Sequence, residues 1–277
     1  MKKILLAAAA VFLLSVTGGC DKIKQFFSSE KFPVENVAAA DSVTTSDGLF
    51  AKVEIDMDVP RNGSASADSI KEWILQSCRS VCESSGLPVP ADGKLDQAYA
   101  DSFVRNISAD FNRQLSDPEW APMGLSLSIS FPCDTVTDRF ATYFSTTDIY
   151  LGGAHGSYLC FGRTIILEDA RWLTWDMIPR AKDQDFLRMV LGELASQYFE
   201  TSEQEAVQGM FLPDNGELPF PVCDPVLTDK GLMVIYQQYE IAPYSAGLPS
   251  CLIPYDRLKQ FVTPEAAALF PADVEGN

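Results

Sequence analysis

The single histidine of the chain, His155, lies in a glycine-rich segment, residues 152–156 (GGAHG). Glycines there permit positive φ angles and therefore a tight connection between two strands. A histidine in such a turn can hydrogen-bond a ligand or make a pH-dependent contact. It can also brace the turn by bonding a backbone carbonyl, and we favour that structural role. One histidine excludes zinc sites that need two or three histidine ligands.

A second group of polar and aromatic residues follows a predicted strand near residue 239. Tyrosine is frequent in binding surfaces because it combines ring area with a hydroxyl group. Packing of the rings over a sheet edge is the competing explanation, and we favour it here. Glu240 is a candidate acid or base, but the sequence indicates no partner carboxylate. The candidate ligand-binding residues are His155, Gly153, Tyr239, Glu240 and Tyr244. We assign no catalytic residue, metal ligand or cofactor.

The charge balance excludes one class of partner. Among 277 residues the chain has 21 Lys and Arg against 38 Asp and Glu, for a net charge of −17. Nucleic-acid binding depends on clustered Lys and Arg, so we expect no nucleic-acid partner. The acidity favours a basic partner or serves solubility, which is the simpler explanation.

The N-terminus has the pattern of an export signal. Lys2 and Lys3 precede an apolar stretch over residues 4–16, and residues 17–20 read TGGC. The apolar stretch is short for a membrane span and typical of a secretory signal peptide. The small residues before Cys20 resemble a bacterial lipobox, which implies cleavage before Cys20 and diacylation of its thiol, with acyl chains such as palmitate. The alternative is an ordinary signal peptide with a chance cysteine.

This pattern predicts a localisation. We expect a cell-envelope protein that is lipid-anchored to a membrane through Cys20, with its folded domain periplasmic or surface-exposed. Removing Lys2 and Lys3 leaves 19 basic against 38 acidic side chains, a net charge of −19. The sequence does not indicate which membrane or leaflet holds the anchor.

Six cysteines remain after Cys20. An exported protein meets an oxidising compartment, where disulfides can form, but the sequence does not fix their pairing. Cys223 and Cys251 flank a predicted strand pair, which would allow them to meet. The alternative is that several are free, buried thiols. The six are Cys78, Cys82, Cys133, Cys160, Cys223 and Cys251.

Hydrophobic periodicity gives the elements that must position these residues. Alternation predicts strands over residues 50–59, 125–131, 141–150, 157–167, 232–239 and 251–253. Helical spacing predicts helices ending near residues 81 and 115, and others over 185–199 and 254–261. The predicted fold is therefore α+β, an antiparallel β-sheet meander with helices packed on one face.

Three segments together resemble a known family. They are residues 150–156 (YLGGAHG), 173–178 (LTWDMI) and 231–258, which contains YEIAPYSAG. They are similar to domain of unknown function 3298, DUF3298, with its usual N-terminal companion domain before it. The similarity covers about residues 46–265, and it extends to the extracellular part of the anti-sigma factor RsiV, which binds lysozyme.

The resemblance implies a division of the chain. Residues 1–19 are a lipoprotein signal peptide, 20–45 a flexible tether, 46–140 the N-terminal companion of helices and strands, 141–265 the RsiV-like C-terminal domain, and 266–277 a tail. There is no apolar stretch after the signal peptide that would give an RsiV-type transmembrane helix. The Asp-His-His metal set of the deacetylases that accompany this domain elsewhere is impossible with one histidine.

These observations lead to three hypotheses of function. The leading one is a non-enzymatic binding module of the envelope, with a cationic protein such as lysozyme, or peptidoglycan fragments, as its ligand. The second is a carboxylate-dependent envelope hydrolase, in which Glu240→Gln abolishes turnover and leaves the fold intact. The third is a purely structural envelope lipoprotein.

Overall fold

The computed structural model describes residues 32–46, 48–117, 123–209 and 217–271. The signal peptide, Cys20, the tether as far as residue 31, and residues 272–277 of the tail lie outside the described residues. Within the described ranges, no helix is both long and apolar enough to cross a membrane.

A six-stranded sheet forms the first part of the fold. Its strands are β1 Val34–Thr44, β2 Phe50–Pro60, β3 Gly124–Phe131, β4 Cys133–Val136, β5 Phe140–Tyr150 and β6 Ser157–Ile166. On one edge of β5, β3 and β4 pair with its two halves, and β6 pairs along its other edge. The pair β2–β3 is parallel, while the other pairs are antiparallel. The predicted α+β class is confirmed, but the predicted antiparallel meander is wrong in one respect, because the parallel pair β2–β3 makes the sheet mixed.

Two long helices cover one face of this sheet. They are α1, Ala65–Ser84, and α2, Gln97–Leu115. The side chains of Ser64 and Asp96 cap them by accepting hydrogen bonds from backbone N–H groups in the first turn. Alternate residues of β2 and β3 are buried beneath the helices, as the period-two pattern predicted. The expected packing of helices on one face is therefore confirmed.

The second part of the fold is a small antiparallel sheet with short helices. Its strands are β7 Val226–Leu227, β8 Gly231–Ile235 and β9 Ser250–Pro254. The helices are α3 Gln184–Glu193, α4 Gln204–Gln208, α5 Tyr255–Leu258 and α6 Pro264–Ala267, and a π-helical turn, Leu194–Tyr198, continues α3. A separate apolar cluster, which includes Phe186, Tyr236 and Phe261, lies among these elements.

A buried polar junction connects the two sheets. Thr142 donates to the carbonyl oxygen of Leu227 at 2.6 Å, and the backbone N–H of Leu227 donates to the Thr164 hydroxyl at 2.9 Å. The two hydroxyl oxygens lie 2.7 Å apart, which closes a ring of three hydrogen bonds. Gly162 allows the close approach, because a β-carbon there would lie 2.5 Å from Cγ2 of Val226.

The structure corrects three predicted boundaries. Val34–Thr44, predicted as part of the flexible tether, is a strand that pairs along its whole length with β2. It escaped detection because only Val37 of its side chains is buried, so it lacks apolar alternation. Ala266, Leu269 and Phe270, predicted as tail, are buried in the second apolar cluster. The strand predicted over residues 232–239 ends at Ile235, because a turn follows.

The six described cysteines are all free thiols. Cys251 donates from Sγ towards the carbonyl oxygen of Val190, and Cys223 towards that of Cys160. The two lie in different apolar clusters, so the expectation that Cys223 and Cys251 meet is wrong.

Candidate functional site

The hairpin loop between β5 and β6, residues 151–156, holds His155 in a fixed place. Gly152 and Gly153 both have φ of 93°, a left-handed conformation that favours glycine. The Tyr150 hydroxyl donates to the Gly153 carbonyl at 3.0 Å. His155 Nδ1 lies 2.8 Å from the Gly156 carbonyl, so this bond requires the ring proton on Nδ1. In the neutral ring, Nε2 is then an acceptor on an exposed side chain.

The loop between β8 and β9 holds the two tyrosines. It begins with a turn in which the backbone N–H of Glu240 donates to the Gln237 carbonyl at 3.1 Å. Tyr239, within that turn, has φ of 64°, which is uncommon for a bulky non-glycine residue. Its side chain is 54% exposed. A strained backbone that presents a large ring to solvent is typical of a functional position.

The two loops bring three of the candidate rings together. His155 stacks on Tyr244 with 4.1 Å between ring centroids and 30° between ring planes. Tyr239 is also beside Tyr244, in a tilted arrangement with 5.9 Å between centroids and 38° between planes. We call these three side chains, His155, Tyr244 and Tyr239, the aromatic row. Gly153 contributes backbone to the same hairpin loop, so four of the five candidates lie in or beside the row.

Two glutamines at the start of the β8–β9 loop fasten it to strand β6. The Gln237 carboxamide accepts from the N–H of Cys160 at 3.2 Å and donates to the carbonyl of Cys160 at 2.6 Å, as a neighbouring strand would. The Gln238 carboxamide accepts from the N–H of Tyr158 at 3.1 Å. Together they cover the outer edge of β6 beside the hairpin loop. Neither residue was predicted from the sequence. The only sequence feature that could have indicated them is the pair of adjacent glutamines near the end of the predicted strand.

Glu240 has a structural position. Its Oε1 accepts from the backbone N–H of Val222 at 2.8 Å, and its Oε2 accepts from the backbone N–H of Gln237 at 2.7 Å. Both carboxylate oxygens are therefore engaged in holding the loop. Glu240 therefore stabilises the turn that exposes Tyr239.

We expect Glu240→Gln to destabilise this loop. The amide NH₂ would face one of the two backbone N–H donors and lose that hydrogen bond, at a cost of about 1 kcal/mol in the free energy of unfolding, because the site is partly open to water. Urea unfolding of the variant and the parent measures this. Glu168→Gln, the same change on an exposed glutamate, is the matched control. Equal stability of Glu240→Gln and the parent would show that the two bonds contribute nothing. The same loss also means that reduced turnover in this variant would not identify a catalytic Glu240.

Two surface cavities lie away from the aromatic row, and the described part of the chain has no cluster of metal ligands. One surface cavity, of about 430 Å³, is lined by residues of α3 and α5, and another, of about 290 Å³, by residues 90–106. Neither is lined by a member of the aromatic row. In the described ranges no group of three or more His, Cys, Asp or Glu side chains is placed to hold a metal ion. His155 and Tyr239 are exposed and Tyr244 is half-buried, so the row lies on the open surface of the protein.

The fold has relatives of known structure. A DUF3298 family member from Bacteroides fragilis is similar over 84% of this chain and 94% of its own, with a TM-score of 0.67 and 15% identity. A DUF3298 family protein from Pseudomonas aeruginosa is similar over 87% of this chain and 97% of its own, with a TM-score of 0.57 and 22% identity. At these identities the likeness establishes the fold. No curated protein matches the chain.

The chain therefore has the α+β fold of these bacterial proteins. Residues 184–256 match the family model described as "Protein of unknown function (DUF3298)". This match confirms the DUF3298 part of the resemblance for residues 184–256. The matched segment includes Tyr239, Glu240 and Tyr244, whereas His155 and Gly153 lie before it.

Proposed function

We propose that this protein is an envelope lipoprotein, anchored through Cys20, whose folded domain binds a macromolecular ligand without catalysis. The observation that carries the proposal is the aromatic row, in which Tyr244 contacts both His155 and Tyr239. Rings fixed by a rigid scaffold lose little conformational freedom on binding, so they favour affinity. The row is open, which suits a protein surface or a polymer better than a small molecule.

The charge supports a cationic protein as the first ligand to test. The mature chain would carry a net charge of −19, which would attract a basic partner such as a lysozyme and raise the rate of association. Peptidoglycan fragments are the second ligand to test, because sugars can stack on exposed tyrosine rings. The occupied carboxylate of Glu240 gives no support to the hydrolase hypothesis.

We expect lysozyme binding to weaken as salt is added. Screening shortens the reach of exposed charges, so the dissociation constant should rise roughly tenfold between about 0.05 and 0.5 M salt. Calorimetric titration of residues 21–277, which retain β1, with hen-type lysozyme measures this directly. A neutral muropeptide titrated under the same conditions should show little salt dependence.

Three outcomes separate the hypotheses. Saturable, salt-sensitive binding of lysozyme supports the cationic partner, and saturable binding of muropeptides alone supports the cell-wall ligand. Absence of heat with both would contradict the proposed ligands and leave the purely structural lipoprotein as the better explanation. A basic protein of unrelated shape, such as cytochrome c, controls for attraction by charge alone.

A further inference from the structure

One face of β6 lies against β7, and the residues just before β7 continue along that face. A β-carbon at Gly162 would touch Val226, and Thr164 accepts the N–H of Leu227. Side chains two residues apart on a strand point to the same face. Cys160 therefore points to the same side as Gly162 and Thr164, towards the residues just before β7.

The residue it meets there is Cys223. The Sγ atom of Cys223 lies 3.8 Å from the carbonyl oxygen of Cys160. Gln237 Nε2 donates to both, at 2.6 Å to the Cys160 oxygen and 2.9 Å to the Cys223 sulfur. Cys160 also packs against the small apolar cluster that contains Cys223 and Val226. Two cysteine residues of one chain are thus neighbours at the junction of the two sheets.

We propose that Cys160 and Cys223 form a disulfide when the protein is oxidised. With a small disulfide such as oxidised glutathione, one protein thiolate attacks a glutathione sulfur and releases one glutathione thiolate. The other protein thiolate then attacks the mixed disulfide and releases the second. The two protein thiols lose two protons and two electrons, and the oxidised glutathione takes up the electrons. That this occurs in the cell rests on the proposed export to an oxidising compartment.

The burial of both residues indicates when the bond forms. Burial raises the pKa of the Cys160 thiol to about 11 and that of the Cys223 thiol to about 12. Little thiolate is therefore present in the folded protein at neutral pH, so oxidation is slow after folding and fast while the chain folds. The bond would tie β6 to a residue 63 positions later in sequence and hold the base of the loop that presents Tyr239.

The test uses the full chain with Cys20→Ser, so that six cysteines remain. The protein is refolded with oxidised and reduced glutathione, free thiols are alkylated, and the peptides are mapped without reduction. We expect a peptide pair joined through Cys160 and Cys223 as the main product. Adding reductant should lower the melting temperature by roughly 5–10 °C, because the bond closes a long loop.

Variants make the assignment specific. Cys160→Ser and Cys223→Ser should each abolish the effect of reductant, while Cys251→Ser, at a cysteine as buried as Cys223, should retain it. If a variant fails to fold, the peptide map of the Cys20→Ser chain still shows which cysteines are joined. Alkylation of both Cys160 and Cys223 after refolding, or a main product joined through other cysteines, would overturn the proposal. None of these results depends on whether the aromatic row binds a ligand.

Discussion

Gly231→Ala should be among the most destabilising single substitutions in this protein. An added β-carbon would collide with the carbonyl oxygen of Ile253 and lie 2.8 Å from its carbonyl carbon and 3.1 Å from Cα of Pro254. These atoms are backbone, so no side chain can move aside. Gly231 is also held from the other side, since its N–H and its carbonyl both bond Thr228. The strand β9 would have to separate from β8.

We expect Gly231→Ala to lower the free energy of unfolding by about 3 kcal/mol, as overpacking against fixed atoms does. Urea unfolding of the variant and the parent, fitted with one common m-value, measures the difference. Gly63→Ala is the matched control, because a β-carbon there meets no atom within 4 Å, and its change should stay within about 0.5 kcal/mol. Equal midpoints for Gly231→Ala and Gly63→Ala would show that β8 and β9 are not packed as closely as described.

Elements with one buried face were predictable from sequence. The alternation of Leu, Ser, Ile and Phe over residues 125–131 places every second side chain in the core, and β3 spans Gly124–Phe131. The strand β1 was not predictable, because at the edge of the sheet most of its side chains are exposed. Nor was the parallel pairing of β2 with β3, since the pattern of a strand fixes its buried face and does not choose its neighbours.

The candidate site, too, was predictable only in part. His155, Tyr239 and Tyr244 were chosen for their chemistry and for the family resemblance, and the structure brings the three rings together. The roles of Gln237 and Glu240 depend on which backbone groups face their side chains. Those groups belong to β6 and to the segment around Val222, so only the folded chain could identify them.

If the aromatic row is the binding surface, Tyr244→Ala should cause the largest loss of affinity of any change in it. Tyr244 is the central ring, so its removal leaves His155 and Tyr239 without the partner that both contact. Loss of a central aromatic anchor costs about 2 kcal/mol of binding free energy, or roughly a thirtyfold rise in the dissociation constant. Calorimetric titration with whichever ligand binds the parent measures the change.

Two further variants make this result specific to the row. Tyr244→Phe keeps the stacked ring and should bind within about threefold of the parent, as removal of a rim polar group does. Phe50→Ala removes a ring that is 46% exposed on β2, outside the row, and should bind as the parent does. Parent-like affinity for Tyr244→Ala with an intact fold would place the binding surface elsewhere. Equal losses for Tyr244→Ala and Phe50→Ala would also contradict the proposal, because removal of an exposed ring outside the row would then lower affinity as much as removal of Tyr244. Parent-like affinity for both variants, with binding that weakens in salt, would point to general attraction by an acidic protein, because neither substitution changes its charge.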